Sequence, residues 1–289
     1  MDAFDMTGTI DLHVHTGPDL FPRLGDDLAI ARDCAAGGMA GMAVKCHFQG
    51  TEVRAQLVNQ VVENFTMFGG VTLNYGVGGI NPIAVESSLA VGGSIVWGPS
   101  GHAKHHGEVT GQLGGWGNKT MNLSVPEGST GITVLDDDGQ LIDAAKEILR
   151  LVKEHDALFA TSHLGPADVL ALVDEARATG TRILVNHVLY IPKTDMSFVK
   201  EVVDRGAMVE MCSVLVGGFW NKVSAEDVQA IIGLVGHESI VLSSDAGGPN
   251  TSMPRESLRV FANNLIYYGI PEDHVRHMMT ESPRRLLGV

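Results

Sequence analysis

The chain alternates short apolar runs with longer stretches whose apolar residues recur every three to four positions. The short runs predict strands over residues 9–16, 40–47, 71–75, 94–97, 157–162, 182–187, 208–212 and 239–244. The longer stretches predict helices over 26–36, 51–65, 82–91, 141–154, 166–179, 196–205, 224–234 and 255–268. Strand followed by helix, repeated eight times, predicts a parallel sheet covered by helices: an α/β fold, a (β/α)8 TIM-type barrel. Pro82 and Pro166 suit first helical turns, and Ser224 precedes Glu226 and Asp227 as an N-cap. Gly37, Gly180 and Gly206 fall just past helix ends, where a left-handed residue is often needed.

One stretch breaks the rhythm. Residues 98–133 are rich in glycine and hold Trp116, His102, His105 and His106. A connection this long is unusual in a barrel and often functional. Following strand 4, it lies on the C-terminal face, as a lid over a site or as a surface excursion. No composition break divides the chain, so residues 1–289 are expected to form one domain.

Composition narrows the classes of function. The length, 289 residues, is close to the ~250 typical of this barrel. The net charge of −14, with no basic stripe, makes nucleic acid and anionic membranes poor partners. Cys34, Cys46 and Cys212 are scattered and odd in number, as expected of a reducing, cytoplasmic setting. No secretion signal and no apolar run of about 20 residues is expected to target the chain to or across a membrane.

The candidate chemistry lies at the predicted strand ends. Asp11-Leu12-His13-Val14-His15 puts two imidazoles at alternate positions of strand 1. Alternate residues of a strand face one side, so His13 and His15 should enter the barrel mouth while Leu12 and Val14 pack outward. Strand 5 runs into His163, strand 6 into His187, and strand 8 into Asp245. Each is unremarkable alone, but the C-terminal ends of a barrel converge on one mouth. Four histidines and an aspartate there form a nitrogen-and-oxygen set suited to Zn²⁺, Mn²⁺ or Fe²⁺. His47, Arg23, Trp97 and His105 are candidates for contact with a small-molecule substrate. His155, His237, His274 and His277 fall on helices or linkers and suggest no role.

The His-x-His strand, the histidines ending strands 5 and 6 and the aspartate ending strand 8 resemble the amidohydrolase superfamily, and the order of elements does so over essentially the whole chain. The ending Glu281-Ser282-Pro283-Arg284-Arg285-Leu286-Leu287-Gly288 is similar too. The segment His13-Val14-His15-Thr16-Gly17-Pro18-Asp19, with Lys45-Cys46-His47, resembles a cytosolic amidohydrolase-like branch. The resemblance implies that His13, His15 and Asp245 bind the more buried metal. It implies that His163 and His187 bind a second, and that Asp245 takes a proton from the attacking water. It also suggests a homo-oligomer.

Many binuclear members bridge their metals with a carboxylated lysine ending strand 4. Here strand 4 ends Val96-Trp97-Gly98-Pro99, and the lysine is Lys45, ending strand 2. A carboxylated Lys45 bridging two metals, and a free Lys45 ammonium beside one metal, both remain open.

The reaction expected from the resemblance is hydrolysis of an amide, cyclic amide, lactone or ester, with a C–N bond favoured. Phosphoesterases of the polymerase-and-histidinol-phosphatase type share an early His-x-His and a late Ser-Asp. Their second strand ends Thr-Asp-His, however, where this chain has Val44-Lys45-Cys46-His47. The same residues are also compatible with a single-metal decarboxylase and with a non-catalytic ligand-binding barrel.

Overall fold

A short apolar run buried on both faces has no polar side to show to water, so it pairs within a parallel sheet covered by helices. The computed structural model describes residues 3–116, 122–190, 195–216 and 222–289, so residues 117–121 of the Gly-rich stretch lie outside the described residues. The strands are β1 Ile10–Val14, β2 Gly41–Val44, β3 Thr66–Phe68, β4 Gly70–Thr72, β5 Ile95–Trp97, β6 Leu158–Ala160, β7 Arg182–Val185, β8 Met208–Cys212 and β9 Ile240–Ser243. All neighbouring pairs are parallel, in the orders β1-β2-β3 and β4 through β9.

β3 and β4 flank Gly69 and together take the place of one barrel strand, which makes eight strand positions among the described residues. A Cβ at Gly70 would lie 1.7 Å from the Ile95 carbonyl oxygen, so β4 can approach β5 only with glycine there. The strand expected at 71–75 therefore starts earlier, and the helix expected over 51–65 ends at Asn59. The ring closes where the chain after β9 meets β1. The Asp245 N–H donates to the His13 carbonyl at 2.8 Å, and the His15 N–H donates to the Ala246 carbonyl at 2.8 Å.

The helices are α1 Asp27–Ala36, α2 Glu52–Asn59, α3 Pro82–Ala90, α4 Lys104–Thr110, α5 Asp143–Glu154, α6 Pro166–Thr179, α7 Met196–Asp204, α8 Ala225–Val235, α9 Pro254–Tyr267, α10 Glu272–Met279 and α11 Glu281–Leu287. α8 starts with the Ser224 cap, reinforced by Asp227. Gly180 and Gly206 take the left-handed conformation, but after α1 it is Gly38 that does so and not Gly37. α4, inside the Gly-rich stretch, and the terminal pair α10 and α11 are not expected from the sequence pattern.

Two apolar cores result. The larger lies between the helices and the outer face of the strands. The smaller fills the barrel with side chains such as Ile10, Leu12, Ala43, Trp97, Leu158 and Val241, and is capped from below by Leu286 and Leu287 of α11. Among the described residues no helix is long and apolar enough to cross a membrane.

Candidate metal centre

The outward position expected for Leu12 does not hold, and the reason lies in the register of β1. Asp11 pairs with Met42 and Val14 with Val44, so three steps along β1 match two along β2. This one-residue bulge lets Leu12 join the barrel interior while His13 also turns inward; Val14 packs outward as expected. Asp11 Oδ1 accepts from the His13 N–H at 3.1 Å and from the Ser244 N–H at 2.9 Å, tying the bulge to the end of β9. Burial raises the Asp11 carboxyl to about 7, against hydrogen bonds from Ser244 and His13 that favour the charge.

His13, His15 and Asp245 meet at the mouth. His15 Nδ1 lies 2.9 Å from the Lys45 carbonyl oxygen, which can only accept, so Nδ1 carries the proton and Nε2 a lone pair. His13 Nδ1 faces Glu210 Oε2 at 3.2 Å, which fixes the same tautomer. Both Nε2 atoms then point at Asp245 Oδ1, at 3.3 Å from His13 and 3.1 Å from His15. His13 Nε2 is buried with no hydrogen-bond partner among the described residues. Lone pairs facing a carboxylate oxygen repel unless a cation lies among them. Ligands at ~2.1 Å around a tetrahedral ion sit roughly 3.4 Å apart, close to these separations. The donor set therefore fits a divalent metal. His13, Glu210 and Cys212 form a second group of close donors, but all three are buried.

The electrostatics suit the same ion. Burial lowers His15 to about 4, with Arg23 adding to the effect, and lowers His187 to about 4 despite Asp245 nearby. Burial also holds His47 and His163 well below the usual histidine range. These imidazoles are neutral at physiological pH and available as ligands. Burial alone would raise Asp245; positive charge on His13 and His15 would draw its carboxyl below the usual range, and a cation among the three groups acts in the same sense. Glu210 is kept ionised against burial in the same way by His13, with help from His187 and Asn186.

Around this triangle a cavity of about 80 Å³ is lined by His13, His15, Lys45, His163, His187 and Asp245. Arg23, His47, Trp116 and Tyr190 also line it. Lys45 Nζ, fully buried, donates to Ser162 Oγ at 2.7 Å, and burial lowers its pKa. The His47 ring stacks on His15 at 4.9 Å, with Nδ1 2.9 Å from Ser100 Oγ. Arg23 is braced from behind by Asp19, which accepts from its Nε at 2.7 Å. Trp116 packs against His47 and Phe21, so the described part of the Gly-rich stretch folds over the mouth. Ser162, His187 and Asp245, all at strand ends, have positive φ values of 55°, 33° and 52°. Such backbone is uncommon outside glycine, and here three instances cluster at the rim.

Two expected substrate contacts lie elsewhere. Trp97 is packed in the barrel interior, because the β5 residue facing inward sits below the mouth. His105 does not line the cavity and lies 3.5 Å from Glu108 on α4. Its neighbour His106 turns inward, with Nδ1 2.7 Å from Nδ1 of His163. His106 belongs to the run 102–106 that the sequence offers as a cover for the site, whereas the strand-end pattern does not single out Glu210, Trp116 or Tyr190 as parts of the rim. Glu210 does leave a signal: a lone carboxylate in the apolar run Met208-Val209-Glu210-Met211-Cys212.

The fold is shared with solved structures of amidohydrolases and related enzymes. An amidohydrolase from Pseudomonas aeruginosa superposes with a TM-score of 0.58 at 14% identity, over 97% of this chain and 95% of that one. An organophosphorus hydrolase from Deinococcus radiodurans gives 0.58 at 12% identity, over 99% and 94%. A 2,6-dihydroxybenzoate decarboxylase from Rhizobium gives 0.58 at 13% identity, over 98% and 99%. No functionally curated protein matches the sequence. Residues 8–210 match a family of unknown function (DUF6282), and the chain belongs to that family.

Proposed function

We propose that this chain is a metal-dependent hydrolase that directs water at a C–N or C–O bond of a small molecule, with amides, cyclic amides, lactones and esters as the candidate substrates. The supporting observation is the triangle of two imidazole lone pairs and one carboxylate oxygen, which needs a cation at its centre. His13, His15 and Asp245 would hold it, and His163 and His187 stand across the same cavity for a second ion. A divalent ion bound there supplies Lewis acidity towards a carbonyl and lowers the pKa of water towards ~7.

The chain's own residues do the rest. Asp245 orients the attacking water, accepts its proton and passes it to the leaving group. Glu210 holds His13 in one tautomer. Arg23 and His47 present polar groups to the substrate, and Trp116 keeps bulk water from the mouth. Lys45 has the chemistry of a bridging carbamate. Its amine is buried, and a lowered pKa enlarges the neutral fraction that takes up carbon dioxide.

A second reading is decarboxylation with one metal, favoured by the hydrogen bond that holds Lys45 Nζ on Ser162 at the cavity wall, where an ammonium would meet a carboxylate substrate. One experiment addresses both. The metal-replete protein is assayed against lactone, ester and cyclic-amide panels and against aromatic acids for carbon dioxide release, with and without chelator, beside Asp245→Asn. Metal-dependent hydrolysis lost in Asp245→Asn supports the proposal; carbon dioxide release alone favours the second reading. Turnover that survives chelation sinks both.

A further inference from the structure

At the opposite end of the barrel, where the strands begin, lies a cleft of about 490 Å³ bounded by α6, α7 and α11. Its walls carry Arg177, Arg182, Arg205 and Arg285, with the hydroxyl residues Thr181 and Ser239, and no aspartate or glutamate among the described residues. That concentration runs against the chain as a whole, which has 34 acidic and 20 basic residues. The cleft also has apolar walls, including Val173, Ile183 and Leu286.

The four guanidiniums are not equally satisfied. Arg205 pairs with Asp174 and Glu201, and Arg182 pairs with Asp156. Those acids stand outside the cleft and brace the arginines from behind. Arg182 Nε is buried with no hydrogen-bond partner among the described residues. Among the described residues Arg285 donates only to neutral groups, the Glu238 carbonyl and Met208 Sδ. Arg177 makes no ion pair with any described residue. Two guanidiniums therefore face the cleft with no carboxylate partner among the described residues. Guanidinium forks match tetrahedral oxyanions in geometry as well as charge. The volume falls within the usual range for small-molecule sites, so it can hold an organic portion too.

We propose that this cleft binds a phosphate dianion, either free or as the headgroup of a small phosphate monoester. The ligand would bridge Arg177 and Arg285, joining α6 to the terminal α11. Because α11 caps the barrel core with Leu286 and Leu287, binding stabilises the folded chain from the face away from the metal centre. The proposal does not depend on the hydrolase reading.

The test is calorimetric titration of chelator-treated protein with inorganic phosphate and, separately, with adenosine monophosphate. Chelation keeps the probes from binding a metal. The wild type is compared with the Arg177→Glu/Arg285→Glu double variant, both positions being exposed, and with Arg177→Gln/Arg285→Gln as a milder control. Saturable one-to-one binding, weakened at least tenfold in both variants and by added salt, is the expected result. Tighter binding of the nucleotide identifies a monoester as the ligand, and equal or weaker binding identifies the free ion. No saturable binding of either probe, or binding indifferent to both variants, overturns the proposal.

Discussion

His13 Nδ1 lies 3.2 Å from Glu210 Oε2, joining the first barrel strand to the seventh beneath the mouth. Glu210 Oε2 also accepts from Asn186 Nδ2 at 2.9 Å, while its Oε1 has no partner among the described residues. One buried carboxylate thus sets the tautomer of a metal-facing imidazole and the position of the strand that carries His187.

Glu210→Gln keeps the shape and removes the charge. Metal affinity, measured by competition with a chromogenic chelator, should fall ~10–100-fold, as is typical when the group behind a ligating histidine is altered. Unchanged affinity would show that Glu210 serves packing alone.

Gly247→Ala should be severely destabilising. Gly247 has φ of +126°, and a Cβ there would lie 1.8 Å from the His15 carbonyl oxygen. Backbone cannot yield cheaply, so a loss on the order of 3 kcal/mol or more in denaturant unfolding is expected. An unperturbed midpoint would mean the chain after β9 can move away from β1 without cost.

Lys45 gives a prediction about stoichiometry. If it bridges two ions as a carbamate, elemental analysis should find two equivalents of metal in wild type loaded with bicarbonate. It should find about one in Lys45→Gln, whatever the bicarbonate. Equal metal content in the bicarbonate-loaded wild type and in Lys45→Gln would remove the bridge and leave the amine as a substrate contact.

Stability should depend on pH with a definite sign. His15 and His187 titrate at about 4 when folded, below the ordinary 6.5. The unfolded chain therefore binds more protons between these values, and stability, complete above 6.5, is lost as pH falls towards 4. His47 and His163 act in the same direction. Asp11, raised to about 7, opposes them by losing stability as pH rises from 3.8, but it is one group against four. Thermal scans of the chelated protein should show a lower midpoint at pH 5 than at pH 7; the reverse order would contradict this environment.

The barrel was legible because period and length suffice to tell buried parallel strands from amphipathic helices. His13, His15, His163, His187 and Asp245 were legible for a topological reason, since strand ends on one face must converge. What stayed hidden depends on register and fold-back. The bulge at Leu12 and His13 leaves alternation in the sequence intact while breaking it in space. Trp97 looked like a rim residue only until the strand's depth was known. The stretch after strand 4 was legible as a cover for the mouth, with His102, His105 and His106 in it, but no periodicity encodes that His106 and Trp116, and not His105, turn inward. Glu210 could have been found, since an acid inside an apolar strand demands a partner.

Asp245 serves the barrel twice: its backbone N–H holds the first strand, and its side chain faces both histidines of that strand. The candidate ligand triangle and the last stitch of the cylinder are thus a single joint. A chain still emerging during synthesis, with its final strand unmade, carries most of the histidines but has no centre to load. Opening this joint would separate the candidate ligands from one another and unpair the barrel's closing strands in the same movement.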